Sequence, residues 1–421
     1  MSLRDERYFD RGWTYQEHML SSRSLIFVEN EVHWQCQCSV WHEELTLNTE
    51  MEKYIDPRLR VILAGFPDLG SLSHIIDGYN TKNLTFEEDA LPAISGLLSL
   101  MSRSFTGGFL YGMPEMYFEQ CLEWRPYWDH SNLKRRVSSD RSAANKLGPC
   151  ELPSWSWVGW QGMVRMDEDA TRINARQNNI KETFPITEWY CGQFPTDEPS
   201  KRRRIRSTWY EERASRKDFT KPLPPGWTRH DLSIRASFRD EPALFPDGCG
   251  DYVFRHPAMC DPDTEINDWY YPFPVADIQP STPTFTPTQW PYLFCKTRST
   301  RVRAFKVDDG EKVDDSENVV DMWTGSGESC GKLYLHNEEQ AALFRGERPG
   351  KVVKLVALCR SKHYEKTWNE DEQEYDLPIK VTESLSVLWV EWEDGVAYRR
   401  ASGVVFDEGG LEWRDVDLVL G

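Results

Sequence analysis

The sequence predicts an α+β protein in which short helical segments precede a large antiparallel β body. Two observations carry this. Apolar residues recur at helical spacing between residues 87 and 124, and strand-length runs of β-branched and aromatic residues follow one another from residue 152 onward with no helical pattern between them. Such a succession of strands reads as a sandwich or an irregular barrel. A chain of 421 residues can bury a sizeable core without disulfide staples.

Residues 11–22 read as a helix, with Thr14 as cap and Glu17 three residues later completing a capping box. Residues 24–28 and 31–38 read as a hairpin turning at Glu29-Asn30, with Val32, Trp34, Cys36 and Cys38 on one face. Residues 43–85 read as irregular, with a short helix near 56–64 and interruptions at Pro67, Gly70 and Gly78. Leu91, Ile94, Leu97, Leu98 and Met101 form one apolar stripe and predict a helix over 87–101, with Pro92 in its first turn. A further helix is predicted over 114–124, with Met116, Tyr117, Cys121 and Trp124 inward, followed by a polar connector at 129–149.

From residue 152, Trp155 and Trp157 alternate with Ser154 and Ser156, as in a strand. Strands are predicted at 232–238, 251–255, 292–295, 301–307, 331–335, 351–359, 385–392, 396–405 and 411–419, with Glu393-Asp394-Gly395 turning a hairpin. The Pro-rich stretch 272–291 reads as a covering loop or a partly extended linker, and 308–330 and 365–376 as exposed acidic segments. The implied divisions are 1–50, 51–128, 129–149 and 150–421.

A formal charge of −18 disfavours binding to nucleic acid or to anionic membranes, both of which need a cationic surface. No apolar run approaches bilayer length, and the charged first residues lack a secretory core, so the chain reads as cytoplasmic. The ten cysteines read as buried reduced thiols. Lys201–Arg206 is the one basic run, read as solvated loop charge with nuclear import or contact with an acidic partner as the alternatives.

Several stretches resemble the fungal heterokaryon-incompatibility (HET) family. Arg11-Gly12-Trp13-Thr14-Tyr15-Gln16-Glu17, with Trp34-Gln35-Cys36, is similar to the last motif block of the HET domain. The two earlier blocks, a Ser-Tyr-x-Trp-Gly-like and a Trp-x-Asp-x-x-Cys-Ile-Asn-Gln-like motif, do not occur in these residues. Leu91–Leu97, Tyr111–Met113, Cys121–Trp124, Leu152–Trp157, Leu388–Trp392 and Gly395–Arg400 resemble the region that follows that domain. The resemblance implies a truncated, TIR-like HET remnant of helix and hairpin at 1–50, a helical connector, and the family's C-terminal region. It implies a role in non-self recognition and programmed cell death, in a regulatory, non-catalytic form. It also implies a protein partner, either an incompatibility counterpart or a second copy.

Arg11, Trp13, Gln16, Glu17 and Trp34 are the motif and binding candidates. Glu17 has the chemistry of a general acid or base and Arg11 that of a phosphate or carboxylate anchor. The competing and favoured reading is an Arg11–Glu17 structural pair with Trp13 in the core. Relation to TIR domains implies NAD hydrolysis as an alternative activity of a longer form. For this chain no cofactor and no metal are expected. His33, Cys36, Cys38 and His42 place their groups on opposite strand faces and do not converge as zinc ligands do. A third reading, a carbohydrate- or peptide-binding β module, rests on Trp155 and Trp157 as an exposed aromatic platform, against their use in a core. No Walker loop, dinucleotide fingerprint, GxSxG elbow or HExxH motif is present.

Overall fold

The computed structural model describes residues 8, 10–28, 31–36, 40–42, 59, 62–63, 65–127, 132–137, 152–166, 179–216, 223, 225–231, 252–256, 281–306, 318–344, 350–365, 368–369, 374–375, 380–406 and 408–421. The architecture is α+β, with a layer of short helices and turns packed on a ten-stranded, mostly antiparallel sheet.

Helix α1 spans Gly12–Leu20 and leads into a meander of β1 (Arg23–Val28), β2 (Glu31–Cys36) and β3 (Val40–His42). The β1–β2 hairpin pairs Val28 with Glu31, as a two-residue turn requires. Thr14 does not cap α1. The N-cap is Arg11, and Thr14 sits in the first turn, its hydroxyl donating to Tyr8 O (2.5 Å) and Arg11 O (2.8 Å). In β2 Trp34 is exposed and His33 buried, on opposite faces as the period-two reading places them.

Residues 69–80, expected as irregular, form the longest described helix, α2 (Leu69–Asn80). Asp68 caps it by accepting from Ser71 N at 2.9 Å. Leu69, Leu72, Ile75, Ile76 and Tyr79 bury one stripe, and that burial outweighs the glycine penalty. Gly78 has a reason to be small, because a Cβ there would lie 3.0 Å from the Tyr15 hydroxyl of α1.

The expected helix 87–101 is divided into 3₁₀ turns at Glu87–Ala90 and Pro92–Ile94, then α3 (Ser95–Met101). The expected 114–124 helix likewise reduces to a 3₁₀ turn at Glu115–Tyr117 and α4 (Phe118–Leu122). The inward residues of both are buried as the stripes require, except Leu91, which is half-buried. Residues 132–137 are not a loose connector: Lys134–Arg135 pairs with Trp160–Gln161, and Arg136 is buried. The Trp segment is not a strand either. Residues 154–159 are a turn and a 3₁₀ helix that turn all the aromatic rings inward.

The sheet contains β4 (Asn179–Pro185), β5 (Tyr190–Gly192), β6 (Arg203–Arg204), β7 (Tyr292–Phe305), β8 (Val319–Trp323), β9 (Ser329–Leu335), β10 (Lys351–Glu365), β11 (Lys380–Glu393), β12 (Val396–Val405) and β13 (Arg414–Leu420). Its order is β4-β10-β11-β12-β9-β8-β7-β5-β6, and β7 also pairs with β10. That extra pairing closes six strands, β7, β10, β11, β12, β9 and β8, into a barrel. Strand β13 lies between β7 and β12 at the other end, antiparallel to the first and parallel to the second. Closure removes the edges that an open sheet would leave.

Val302, Met322, Leu333, Leu355, Val387 and Trp389 fill the barrel lumen, and Phe344 beyond α5 (Glu338–Ala342) meets Trp389 edge-on. The β11–β12 turn takes positive φ at Asp394 (+49°) and Gly395 (+84°), the geometry that a tight hairpin demands. The runs 292–295 and 301–307 merge into one strand, β7, and four unexpected strands appear in this sheet, β4, β5, β6 and β8. Within the acidic stretch 308–330, Val320 and Met322 are buried in β8. The expected strand 232–238 lies outside the described residues.

A second core joins the helical layer to the outer face of the barrel. It runs from Ile62 through Trp124 and Trp157 to Leu420, and so crosses every division implied by the sequence. The end of the Pro-rich segment covers this core, with Phe285 N donating to Ser102 Oγ (2.8 Å) and Gln289 bridging Tyr111 N and Phe109 O.

Candidate functional site

Helix α1 presents two faces. Gly12, Tyr15, Gln16 and Met19 recur at helical spacing and face the protein, while Trp13, Glu17 and Leu20 face away. The inward face is fully committed. Tyr15 Oη donates to Ile75 O (2.9 Å), and Gln16 Oε1 accepts from Gly96 N (2.7 Å) and Leu97 N (3.1 Å), capping α3 from a distant element.

The outward face matches neither the expected pair nor the expected core residue. Trp13 is 40% exposed, and among the described residues no ion pair joins Arg11 to Glu17, both of which are exposed. Among the described contacts no other titratable group meets the Glu17 carboxylate. The meander that follows also exposes apolar side chains. Leu25 (56% exposed) pairs with Trp34 (38%), and Phe27 (72%) pairs with Val32.

The remaining motif stretches meet in the interior. Trp157 Nε1 donates to Gly112 O (3.0 Å) and Ser156 Oγ to Tyr111 O (2.5 Å). Gly112 has φ +77°, and a Cβ there would stand 2.5 Å from the Trp157 ring, so only glycine fits. Trp124 Nε1 donates to Trp155 O (2.7 Å), and Trp155 Nε1 to Pro291 O (2.9 Å). Arg399 of β12 is buried with its guanidinium 3.6 Å from the Trp124 ring centroid, and it donates to Leu122 O (2.8 Å) and Trp124 O at the end of α4. Its backbone N donates to Ser154 Oγ (2.9 Å). Trp155 and Trp157 are fully buried, which removes the exposed aromatic platform.

The basic run is folded onto the body. Arg203 forks onto buried Glu115 (2.6 and 2.9 Å), Arg202 lies over Phe294, and Arg204 and Arg206 both meet Glu211. Nearby Glu119 is buried and accepts from Ser207 Oγ, and burial pushes its carboxyl up to about 7.

A polar pocket of about 170 Å³ lies between the end of α4 and the outer face of β10, β11 and β12. Glu123 enters from α4's end, forms an ion pair with Lys181 of β4, and accepts from Cys359 Sγ at 2.9 Å. Burial beside Glu123 holds the Cys359 thiol well above its usual range and so protonated. His363 Nε2 lies 2.9 Å from Ser384 Oγ on the neighbouring strand. Ser402 Oγ of β12 is buried, lines the pocket, and has no hydrogen-bond partner among the described residues. None of these groups is marked by sequence spacing. The one signal was Ser384 and Ser386 alternating with Leu385 and Val387, polar residues on a strand face expected to pack.

A larger cleft of about 1500 Å³ opens between residues 132–137, the start of α5 and the β11–β12 hairpin. Its lining has five basic residues (Lys134, Arg135, Arg136, Arg399, Arg400) and five acidic ones (Glu338, Glu339, Glu391, Glu393, Asp394), so it selects for neither sign of charge. Among the described residues no group of His, Cys, Asp and Glu is arranged to hold a metal ion, and no helix is long and apolar enough to cross a membrane.

No protein-family model, no curated protein and no solved structure matches the chain.

Proposed function

We propose that the chain is a HET-type regulatory protein that acts by binding a protein partner through the outward face of α1 and the meander. The observation that carries this reading is the division of labour within one motif. Gly12, Tyr15 and Gln16 are consumed in packing, while Trp13 stands exposed on α1 and Leu25, Phe27 and Trp34 stand exposed on one face of the hairpin that follows it. Aromatic side chains with exposed faces are the residues that dominate protein interfaces. In the family that these motifs resemble, the last block follows two earlier ones. The occupant of this face is therefore the α/β body that those earlier blocks build.

The test mixes the purified chain with a HET-domain fragment carrying the two earlier blocks and follows complex formation by light scattering on a sizing column. A complex with the wild type, lost in the Leu25→Asp/Phe27→Asp double variant, is the expected result. Leu25 and Phe27 are exposed, so their replacement leaves folding intact. Absence of a complex, or one indifferent to the double substitution, refutes the proposal.

A further inference from the structure

The pocket beside α4 is separate from the α1 surface and is built from different elements. We propose that it binds a neutral, sugar-sized polyol.

Size sets the first limit. A volume of about 170 Å³ is far more than one water occupies, about 10–15 Å³ on the same measure, and is roomy for a single tetrahedral oxyanion. Charge sets the second. Glu123 and Lys181 face each other as a pair, so they offer a carboxylate acceptor and an ammonium donor whose fields largely cancel. A lone anion would meet Glu123 and a lone cation would meet Lys181, whereas a neutral diol engages both.

The hydroxyls decide the class. Ser384, Ser386, Ser402 and Thr382 line the pocket, and each hydroxyl both donates and accepts, as each hydroxyl of a polyol does. Ser402 Oγ, buried and lacking a partner among the described residues, gains one from such a ligand. His363 holds Ser384 in reach, which fixes one hydroxyl of the set. Tyr334 lines the wall with Arg125 4.2 Å from its ring centroid, and Phe406 is exposed at the pocket. With Arg125 over the Tyr334 ring, Phe406 supplies the apolar surface that the C–H face of a pyranose covers.

The experiment is saturation-transfer NMR on the full chain with D-glucose, D-mannose, D-galactose and N-acetyl-D-glucosamine. Each sugar is titrated to about 10 mM, and inorganic phosphate is titrated in parallel by calorimetry. At least one sugar is expected to saturate, and Ser402→Leu, which fills the pocket, to abolish the signal. Phe406→Ala, at an exposed position where the fold is not at stake, is expected to weaken binding about tenfold with an unchanged melting temperature. Failure of all four sugars, saturation by phosphate in their place, or sugar binding untouched by Phe406→Ala and Ser402→Leu overturns the proposal.

Discussion

Replacing Glu119 by Gln is expected to remove a pH dependence of stability that the wild type carries. Glu119 lies in the second core, with Ser207 donating to its carboxyl, Glu211 adding like charge and Arg204 opposing it. Desolvation is the largest influence, and it places the folded carboxyl near 7 against an ordinary 4.5. The folded state therefore holds this proton more tightly than the unfolded chain does. The resulting stabilisation is complete below about pH 4.5, declines as the unfolded chain ionises, and is lost as pH passes about 7. A gap of that width is worth about 3 kcal/mol, a large share of an ordinary domain's stability. The amide keeps an acceptor for Ser207 and cannot ionise. Urea midpoints measured at pH 5 and pH 8 should then show Glu119→Gln close to wild type at the lower pH and more stable by about 3 kcal/mol at the higher one. A variant that is no more stable than wild type at pH 8 refutes the assignment of a buried, neutral carboxyl at this position.

Three other substitutions test separate links. Gly112→Ala should cost roughly 2–4 kcal/mol, combining left-handed backbone strain with a clash against the Trp157 ring, and a thermal melt reads it directly. Arg399→Leu should cost roughly 2–4 kcal/mol in urea unfolding, because Leu122 O and Trp124 O lose their buried donor. Glu17→Gln should leave stability within about 0.5 kcal/mol of wild type and NAD levels unchanged on expression, and a variant-dependent loss of NAD would instead restore Glu17 as a catalytic group.

Legibility followed the range of the interactions. The β11–β12 hairpin was readable because a local turn sets it and period-two alternation flanks it, and the stripe Leu91–Met101 because helical spacing is local too. Helix α2 was missed because Gly70 and Gly78 argue against a helix locally, while the contacts that favour it, such as Tyr15 against Gly78, come from another element. The Trp155–Trp157 segment misled because its alternation mimics a strand. The ring N–H groups actually find carbonyls of Pro291 and Gly112, which dictates a turn. Within α1, Gln16 was legible as a motif residue but not as the cap of α3. The polar pocket was illegible because Glu123, Lys181, His363, Ser384 and Ser402 come from five separate elements, joined only when β4, β10, β11 and β12 align.

One geometric fact ties the motif stretches together and separates structure from function. Tyr111-Gly112, Cys121–Trp124, Leu152–Trp157 and Gly395–Arg400 are up to almost 300 residues apart in sequence. They touch within one cluster where Trp157 seats on Gly112 and Arg399 reaches the end of α4. A residue type demanded by such a cluster needs no ligand to explain it: glycine for approach, tryptophan for burial with one donor, arginine for orphaned carbonyls. The same logic accounts less well for Trp13, Phe27 and Trp34, which leave a large share of their ring surface in solvent. Side chains that the fold does not require, set on an α1 that the fold holds rigidly through Tyr15 and Gln16, are where an interaction with another molecule has to be sought.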